Sequence, residues 1–144
     1  MPSRDATTHW TGGLSQGRGE VTLDSSNAGT FGVSFPTRAG NPDGQTSPEE
    51  LIAAAHSACL AMNLSGVLEA EKLEAESLDV SAEVTLGPAQ GGGFEISGIA
   101  ITLRAKLDGV TAEEFAELAA TAEKTCPVSK ALSGTTISLD AALA

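Results

Sequence analysis

Apolar residues recur along this chain with two periods, and the switch between them marks out its elements. From Ser77 to Leu86, Leu78, Val80, Ala82, Val84 and Leu86 alternate with polar residues, the pattern of a strand with one buried face. A partner strand follows the Gln90 to Gly93 turn. There Phe94 and Ile96 hold one parity while Ile99, Ile101, Leu103, Ala105 and Leu107 hold the other. One face can stay inward only if a bulge at Gly98 absorbs the change. Helical spacing begins at Ser47-Pro48-Glu49-Glu50, which offers an N-cap, a proline at the first helical position and a glutamate placed to complete a capping box. The helix continues through Leu51, Ile52, Ala53 to Ala55, Ala58 to Met62, Leu64, Val67 and Leu68. It is apolar over much of its circumference and reads as a central helix buried on most sides. Thr111 to Glu114 repeats the capping logic, and Phe115, Leu118, Ala119 and Ala122 form a stripe ending near Thr125. Pro127 then stops that helix and opens a short one through Leu132. Ile137 and Leu139 predict a last strand. Residues 1 to 46 are rich in Gly, Ser, Thr and Asn and predict short strands around His9 to Thr11, Gly19 to Leu23 and Phe31 to Phe35. The sum is an α+β fold, antiparallel strands packed on a central helix, in a single domain over residues 1–144 without repeats or linkers.

Composition narrows the function. The 144 residues suit one domain of common length. Eight Lys and Arg stand against 19 Asp and Glu, a formal charge of -11, so a phosphate backbone or an anionic membrane is repelled. With one Trp and no Tyr, platforms for stacking bases are largely lacking. Nucleic acid and membrane are therefore not expected as partners. We find no run of about 18 apolar residues, and Met1 to Trp10 has no apolar stretch to serve as a signal peptide. The expected location is cytoplasmic. Cys59 and Cys126 are too far apart for any short redox or zinc spacing, and in a reducing compartment they are free thiols, inert or catalytic.

Four residues could carry chemistry. Cys59 lies mid-helix between Ala58 and Leu60, where a thiol is either core packing or a nucleophile. Cys126 lies between a helix end and Pro127, where backbone N–H groups of the next helix can stabilise a thiolate. Arg38 precedes the central helix; it is a solvated charge or, beside a cysteine, a rigid fork of donors that favours the thiolate. Glu49 has a helix-dipole role or something more, since only Glu50 holds the capping-box position. A zinc site from Cys59, Cys126, His9 and His56 has only the His56 and Cys59 spacing to support it, so no metal is expected.

The run Thr46-Ser47-Pro48-Glu49-Glu50-Leu51-Ile52-Ala53-Ala54-Ala55-His56-Ser57-Ala58-Cys59, with Thr37-Arg38 before it and Cys126-Pro127-Val128-Ser129 near the end, closely resembles the osmotically inducible protein C (OsmC) family. His9-Trp10 and the closing Ile137 to Asp140 strand also fit, so the resemblance covers essentially the whole chain. It implies an intertwined homodimer and a thiol-dependent peroxidase, as in the sister organic hydroperoxide resistance (Ohr) group, with the OsmC subgroup the better match. By resemblance, Cys59 is the peroxidatic cysteine, Cys126 the resolving cysteine, Arg38 the activating arginine and Glu49 the carboxylate that orients it. The interval from Arg38 to Glu49 is one residue longer than the family pattern, an excess assigned to the Ala39 to Gly44 loop. Arg18, in Gly17-Arg18-Gly19, lies near where the sister group carries its arginine and stays a second candidate.

The implied reaction is reduction of an organic hydroperoxide to its alcohol, in defence against oxidative and osmotic stress. It needs no metal, haem or flavin, and a dithiol reductant, of lipoyl type or another thiol, resets the cysteines. Apolar residues around the helix predict a preference for alkyl or lipid hydroperoxides over hydrogen peroxide. On an ideal helix Glu49 and Cys59 are about 15 Å apart and about 80 degrees out of alignment, so Glu49 is expected to come from the partner subunit of a twofold dimer. The competing readings are a non-catalytic binding module of the same fold and a redox sensor.

Overall fold

Glycine sets the geometry of the first sheet. The computed structural model describes residues 1–144, which form two compact units, Met1–Leu51 and Ile52–Ala144. In the first unit, β1 (Thr7–Thr11), β2 (Arg18–Thr22) and β3 (Thr30–Val33) form an antiparallel sheet in that order. Trp10 pairs with Gly19, and its ring also reaches Gly17. A Cβ on Gly19 would lie 2.9 Å from the ring and 2.8 Å from the His9 carbonyl oxygen, and one on Gly17 would lie 2.8 Å from the ring. Only glycine lets the indole lie this close to β2. The indole N–H is fixed by donation to the Gly12 carbonyl at 2.9 Å.

The third strand ends at Val33, two residues before the predicted Phe35. Ser34 instead caps a short helix, α1 (Phe35–Ala39), its hydroxyl accepting the Thr37 N–H at 3.3 Å, with Pro36 in the first turn. Arg38 therefore stands on a helical turn rather than in an open loop.

The long helix α2 (Pro48–Ala70) begins where the capping signal places it. The cap is closed on one side: Ser47 Oγ accepts the Glu50 N–H at 3.1 Å, while the Glu50 carboxylate accepts the Thr46 hydroxyl at 2.9 Å instead of the Ser47 N–H. The expectation of burial on most sides is corrected by the structure. Past Glu49, the fully covered positions are His56, Leu60, Leu64 and Leu68, a single stripe at four-residue steps, while Ala54, Ala55, Ala58, Met62, Ser65 and Gly66 are exposed. A second correction concerns hydropathy. This helix has a mean of 1.6 over its most apolar 18-residue window, so by length and composition it could cross a membrane. His56, Ser57 and Asn63 interrupt the run without lowering that mean enough. Its leucine stripe belongs to the core of the second unit.

That unit is built on a long hairpin of β4 (Ser77–Pro88) and β5 (Phe94–Lys106). The bulge falls at Ser97, next to the predicted Gly98: Thr85 pairs with Gly98, then Leu86 with Ile96. Upstream and downstream apolar residues thereby share one face. The last strand, β6 (Ile137–Leu143), pairs parallel to β5, from Ile99 opposite Ile137 to Ala105 opposite Leu143. The sheet is therefore mixed, because the chain returns to it through a helical crossover rather than a hairpin. That crossover holds α3 (Ala112–Thr125) and α4 (Pro127–Ala131). At α3 the capping box is reciprocal, with Glu114 N–H donating to Thr111 Oγ1 at 3.2 Å and Thr111 N–H to Glu114 Oε2 at 2.7 Å. Leu60, Leu64 and Leu68 pack with Ile99, Ile101, Leu103, Phe115, Ala119, Ala122 and Cys126 in one core.

Candidate active site

The four residues singled out in the sequence form two pairs, one in each unit. In the first unit, Arg38 of α1 meets Glu49 of the first turn of α2. Arg38 Nε lies 3.1 Å from both Glu49 carboxylate oxygens and Nη2 lies 2.7 Å from Oε1. The intervening loop folds back on itself to bring them together. Thr37 Oγ1 donates to Gln45 Oε1 at 3.0 Å, Gln45 N–H to the Pro42 carbonyl at 2.9 Å and Thr46 N–H to the Gly32 carbonyl at 3.1 Å. Asp43 and Gly44, at φ of 47° and 78°, make the left-handed turn, where glycine carries no Cβ penalty. The hydrogen bond to Glu49 holds the guanidinium more firmly protonated than a free one. Burial pushes the Glu49 carboxyl up, but the Arg38 hydrogen bond and backbone donation outweigh it, so its pKa lies below the ordinary range. The guanidinium is fixed and always charged.

Arg38 is also one wall of a cavity of about 480 Å³ whose other walls include Trp10, Leu14, Val21, Val33 and Phe35. Its lining is mainly apolar with one fixed cation. Arg18 is placed differently. It is exposed on β2, forms no ion pair, and borders a groove with His9, Thr11, Glu20, Gly32 and Gln45.

In the second unit the two cysteines, 67 residues apart in sequence, bring their sulfurs to 3.1 Å. Both are free thiols, Cys59 half-buried and Cys126 fully buried. Asn63, one turn after Cys59, ties α2 to the end of α3. Its Nδ2 donates to the Ala122 carbonyl at 2.7 Å and to Thr125 Oγ1 at 2.8 Å. The Cys126 N–H closes α3 by donating to the Ala122 carbonyl at 2.9 Å. Cys126 thus sits at the junction between α3 and α4.

Burial raises the Cys59 pKa, and its neighbour Cys126 raises it further, against a smaller pull from the Val128 N–H. Burial raises Cys126 too, but the Ser129 N–H, the Cys59 thiol, the Ser129 hydroxyl and the Val128 N–H together bring it below an ordinary thiol. The pair titrates as a unit.

His56 is fully buried, with Nε2 2.7 Å from Ser129 Oγ and no partner for Nδ1. It belongs to the core stripe of α2, and His9 lies on β1 in the other unit. No group of three His, Cys, Asp or Glu side chains is placed to hold a metal ion. In the sequence Ser129 stands out only as the end of the Cys126-Pro127-Val128-Ser129 run, with no role of its own, and Asn63 does not stand out at all. The signal for Asn63 is its position, four residues after Cys59.

The profile of the OsmC family, described as OsmC-like protein, matches residues 40–140. Peroxiredoxin OsmC of Escherichia coli strain K12 is 36% identical over 124 residues, 86% of this chain and 85% of that protein. The organic hydroperoxide resistance protein OhrA of Bacillus subtilis is 37% identical over 90 residues, 62% of this chain and 61% of that one. The crystal structure of an organic hydroperoxide resistance protein OsmC from Legionella pneumophila superposes with a TM-score of 0.77 at 26% identity, covering 99% of this chain and 98% of the other. The α+β arrangement of two small sheets and a long helix is that of these proteins, and this chain belongs to the OsmC family.

Proposed function

We propose that this chain is a peroxidase of hydroperoxide resistance that reduces organic hydroperoxides to alcohols, with Cys59 as nucleophile and Cys126 as resolving thiol. The observation that carries the reading is the 3.1 Å approach of the two sulfurs in a chain whose relatives are named peroxiredoxin and organic hydroperoxide resistance protein. The Cys59 thiolate attacks the terminal oxygen of ROOH and breaks the O–O bond. The alkoxide takes a proton and leaves as ROH, and Cys59 becomes a sulfenic acid. The Cys126 thiolate then attacks the Cys59 sulfur, the S–O bond breaks, hydroxide leaves as water, and a disulfide forms. A dithiol reductant, of lipoyl type or another small thiol, returns both cysteines to the reduced state.

The first step needs the charge on Cys59, which burial in a single chain opposes. A guanidinium beside Cys59 would offset that cost and bind the peroxide oxygens, both tasks suited to the Arg38 fork. Fixed by Glu49 and facing an apolar cavity, Arg38 is a better choice than Arg18, which has no orienting partner. We assign this site to a homodimer, in which Arg38 and Glu49 of one protomer serve Cys59 of the other. The exposed face of Ala54, Ala58 and Met62 on α2 gives such a dimer an apolar surface to bury. The whole chain, residues 1–144, then acts as one domain, in the cytoplasm, where thiols stay reduced. The Arg38 cavity favours alkyl or aryl hydroperoxides over hydrogen peroxide, since its apolar lining has nothing to offer the smaller, wetter substrate.

The test is consumption of cumene hydroperoxide and of hydrogen peroxide with dihydrolipoamide, in the natural chain and in Cys59→Ser. Turnover that favours cumene hydroperoxide and disappears in Cys59→Ser is expected. Absent turnover in the natural chain, with slow alkylation of Cys59, would overturn the reading in favour of a non-catalytic binding module.

A further inference from the structure

His56 is fully buried and titratable, yet the proposed reaction does not use it. Its hydrogen bond to Ser129, at 2.7 Å, is one of two polar ties between α2 and the segment that carries Cys126. The other joins Asn63 to the end of α3, 2.7 Å to the Ala122 carbonyl and 2.8 Å to Thr125 Oγ1. The cysteine sulfurs meet between them at 3.1 Å. His56, Cys59 and Asn63 stand three and then four residues apart, on one face of α2. Their partners Ser129, Cys126 and Ala122 run in reverse order, again three and then four residues apart. The two segments are therefore antiparallel and in matched register, with a polar tie about one turn to each side of the thiols.

The backbone at Cys126 explains why there are two ties. Its ψ of 122° lies outside the helical range, so α3 and α4 meet at this residue as separate short helices. The course of one does not fix that of the other, and each has its own tie to α2. The Asn63 tie also reaches the backbone of the cysteine: the Ala122 carbonyl that accepts the Asn63 amide accepts the Cys126 N–H at 2.9 Å. The His56 tie is buried at both ends, where a polar group left unpaired is costly.

We propose that His56, Ser129 and Asn63 are positioning residues for disulfide closure: the two ties hold Cys126 opposite Cys59 in the reduced chain, so that its sulfur is already within reach when Cys59 is oxidised. The assignment rests on the peroxidase reading for its catalytic use, though the effect of the ties on the thiol pair can be measured without peroxide. In the closing step the Cys126 thiolate attacks the Cys59 sulfenic sulfur, the S–S bond forms, the S–O bond breaks, and hydroxide takes a proton and leaves as water. That step competes with a second oxidation of Cys59 to sulfinic acid. Preorganisation raises the effective concentration of the attacking thiol, so the ties limit loss of enzyme at high peroxide.

The first measurement is the thiol–disulfide equilibrium of the folded chain in dithiothreitol buffers, with Asn63→Ala, Ser129→Ala and His56→Gln. A tie that serves the fold alone changes the urea midpoint of the reduced and oxidised chains equally and leaves this equilibrium constant where it was. Asn63→Ala and Ser129→Ala are each expected to disfavour the disulfide by about tenfold. His56→Gln, whose side-chain amide can place a donor near the position of Nε2, is expected to keep the natural constant. In single-turnover oxidation by cumene hydroperoxide, with sulfenic acid and disulfide followed separately, the first two variants should slow closure about tenfold. Sulfenic acid should form at the natural rate and the sulfinic acid fraction should rise. If Ser129→Ala does not fold with His56 left unpaired, Asn63→Ala, at a half-buried position, carries the test. An unmoved equilibrium constant in either variant would overturn the assignment for that tie, whatever the peroxidase activity. Absent sulfenic acid in the natural chain would instead overturn the peroxidase reading, while a moved constant would still support the positioning of the thiols.

Discussion

Cys59 and Cys126 hold their sulfurs 3.1 Å apart although neither is bonded to the other. A disulfide needs about 2.05 Å, so roughly 1 Å of movement separates the reduced pair from the oxidised one. One equivalent of cumene hydroperoxide should therefore convert the chain to an intramolecular disulfide without intermolecular products. Cys126→Ser should stop at Cys59 sulfenic and then sulfinic acid. Intact-mass measurement under denaturing conditions distinguishes them by the loss of two hydrogens or the gain of one or two oxygens.

Arg38→Lys keeps the charge but loses the planar fork that Glu49 grips through both carboxylate oxygens. Removing a preoriented donor from a developing oxyanion costs on the order of a hundredfold in kcat/KM, and that loss is expected for cumene hydroperoxide. Arg18→Lys should change it little. Equal losses in the two variants would return Arg18 to candidacy.

The open face of α2 gives a separate test of the homodimer. Ala58 is exposed in a single chain, so Ala58→Glu should leave the fold of one chain intact, within about 0.5 kcal/mol for a surface substitution. Inside a twofold helix contact the same carboxylate would meet its own copy. Sedimentation should then report a monomer, with peroxidase activity lost and circular dichroism unchanged.

Two buried groups set the acid limit of the fold. Burial lowers the His56 pKa, so the unfolded chain takes up a proton that the folded one refuses, and stability present above about pH 6.5 is lost as pH falls below it. Glu49 is also held low, burial against it and Arg38 for it, so its contribution persists to lower pH and fades only below the ordinary carboxylate range. Urea midpoints measured from pH 8 to about pH 2.5 should fall in two stages. His56→Gln should flatten the upper stage and Glu49→Gln the lower.

The Arg38 cavity supplies the substrate prediction. Val33→Asp puts a carboxylate in its lining beside the guanidinium. The kcat/KM for cumene hydroperoxide should fall on the order of tenfold or more, and hydrogen peroxide should lose less, since it never filled the apolar space.

Some of this molecule can be read from spacing alone. The change of parity between Ile96 and Ile99 locates the bulge within one residue, because a period of two leaves no other way to keep both halves on one face. The two capping sequences place the starts of α2 and α3 for equally local reasons. Other features depend on partners far along the chain. Ile137 and Leu139 announce a strand but carry no mark of its parallel direction, which comes from the crossover through α3 and α4. The apolar breadth of α2 looks the same whether its own chain or a second copy covers it, so its open face had to be seen. Ser34 and Pro36 do spell out the cap of α1, but the aromatic and β-branched residues around Phe31 and Val33 spoke more strongly for strand. The four candidate residues stand out by type and position, and the motif resemblance gives them roles. The way they sort into an Arg38 and Glu49 pair and a Cys59 and Cys126 pair, and the hold of Ser129 and Asn63 on the second, needed the fold.

The indole of Trp10, seated over Gly17 and Gly19, also lines the Arg38 cavity. As the chain has one tryptophan and no tyrosine, nearly all of its ultraviolet emission comes from that one wall. The protein is thus its own optical reporter of cavity occupancy. A cumyl or fatty alcohol entering beside Arg38 should displace water from the indole and shift the emission to the blue, so that product affinity can be titrated without a label.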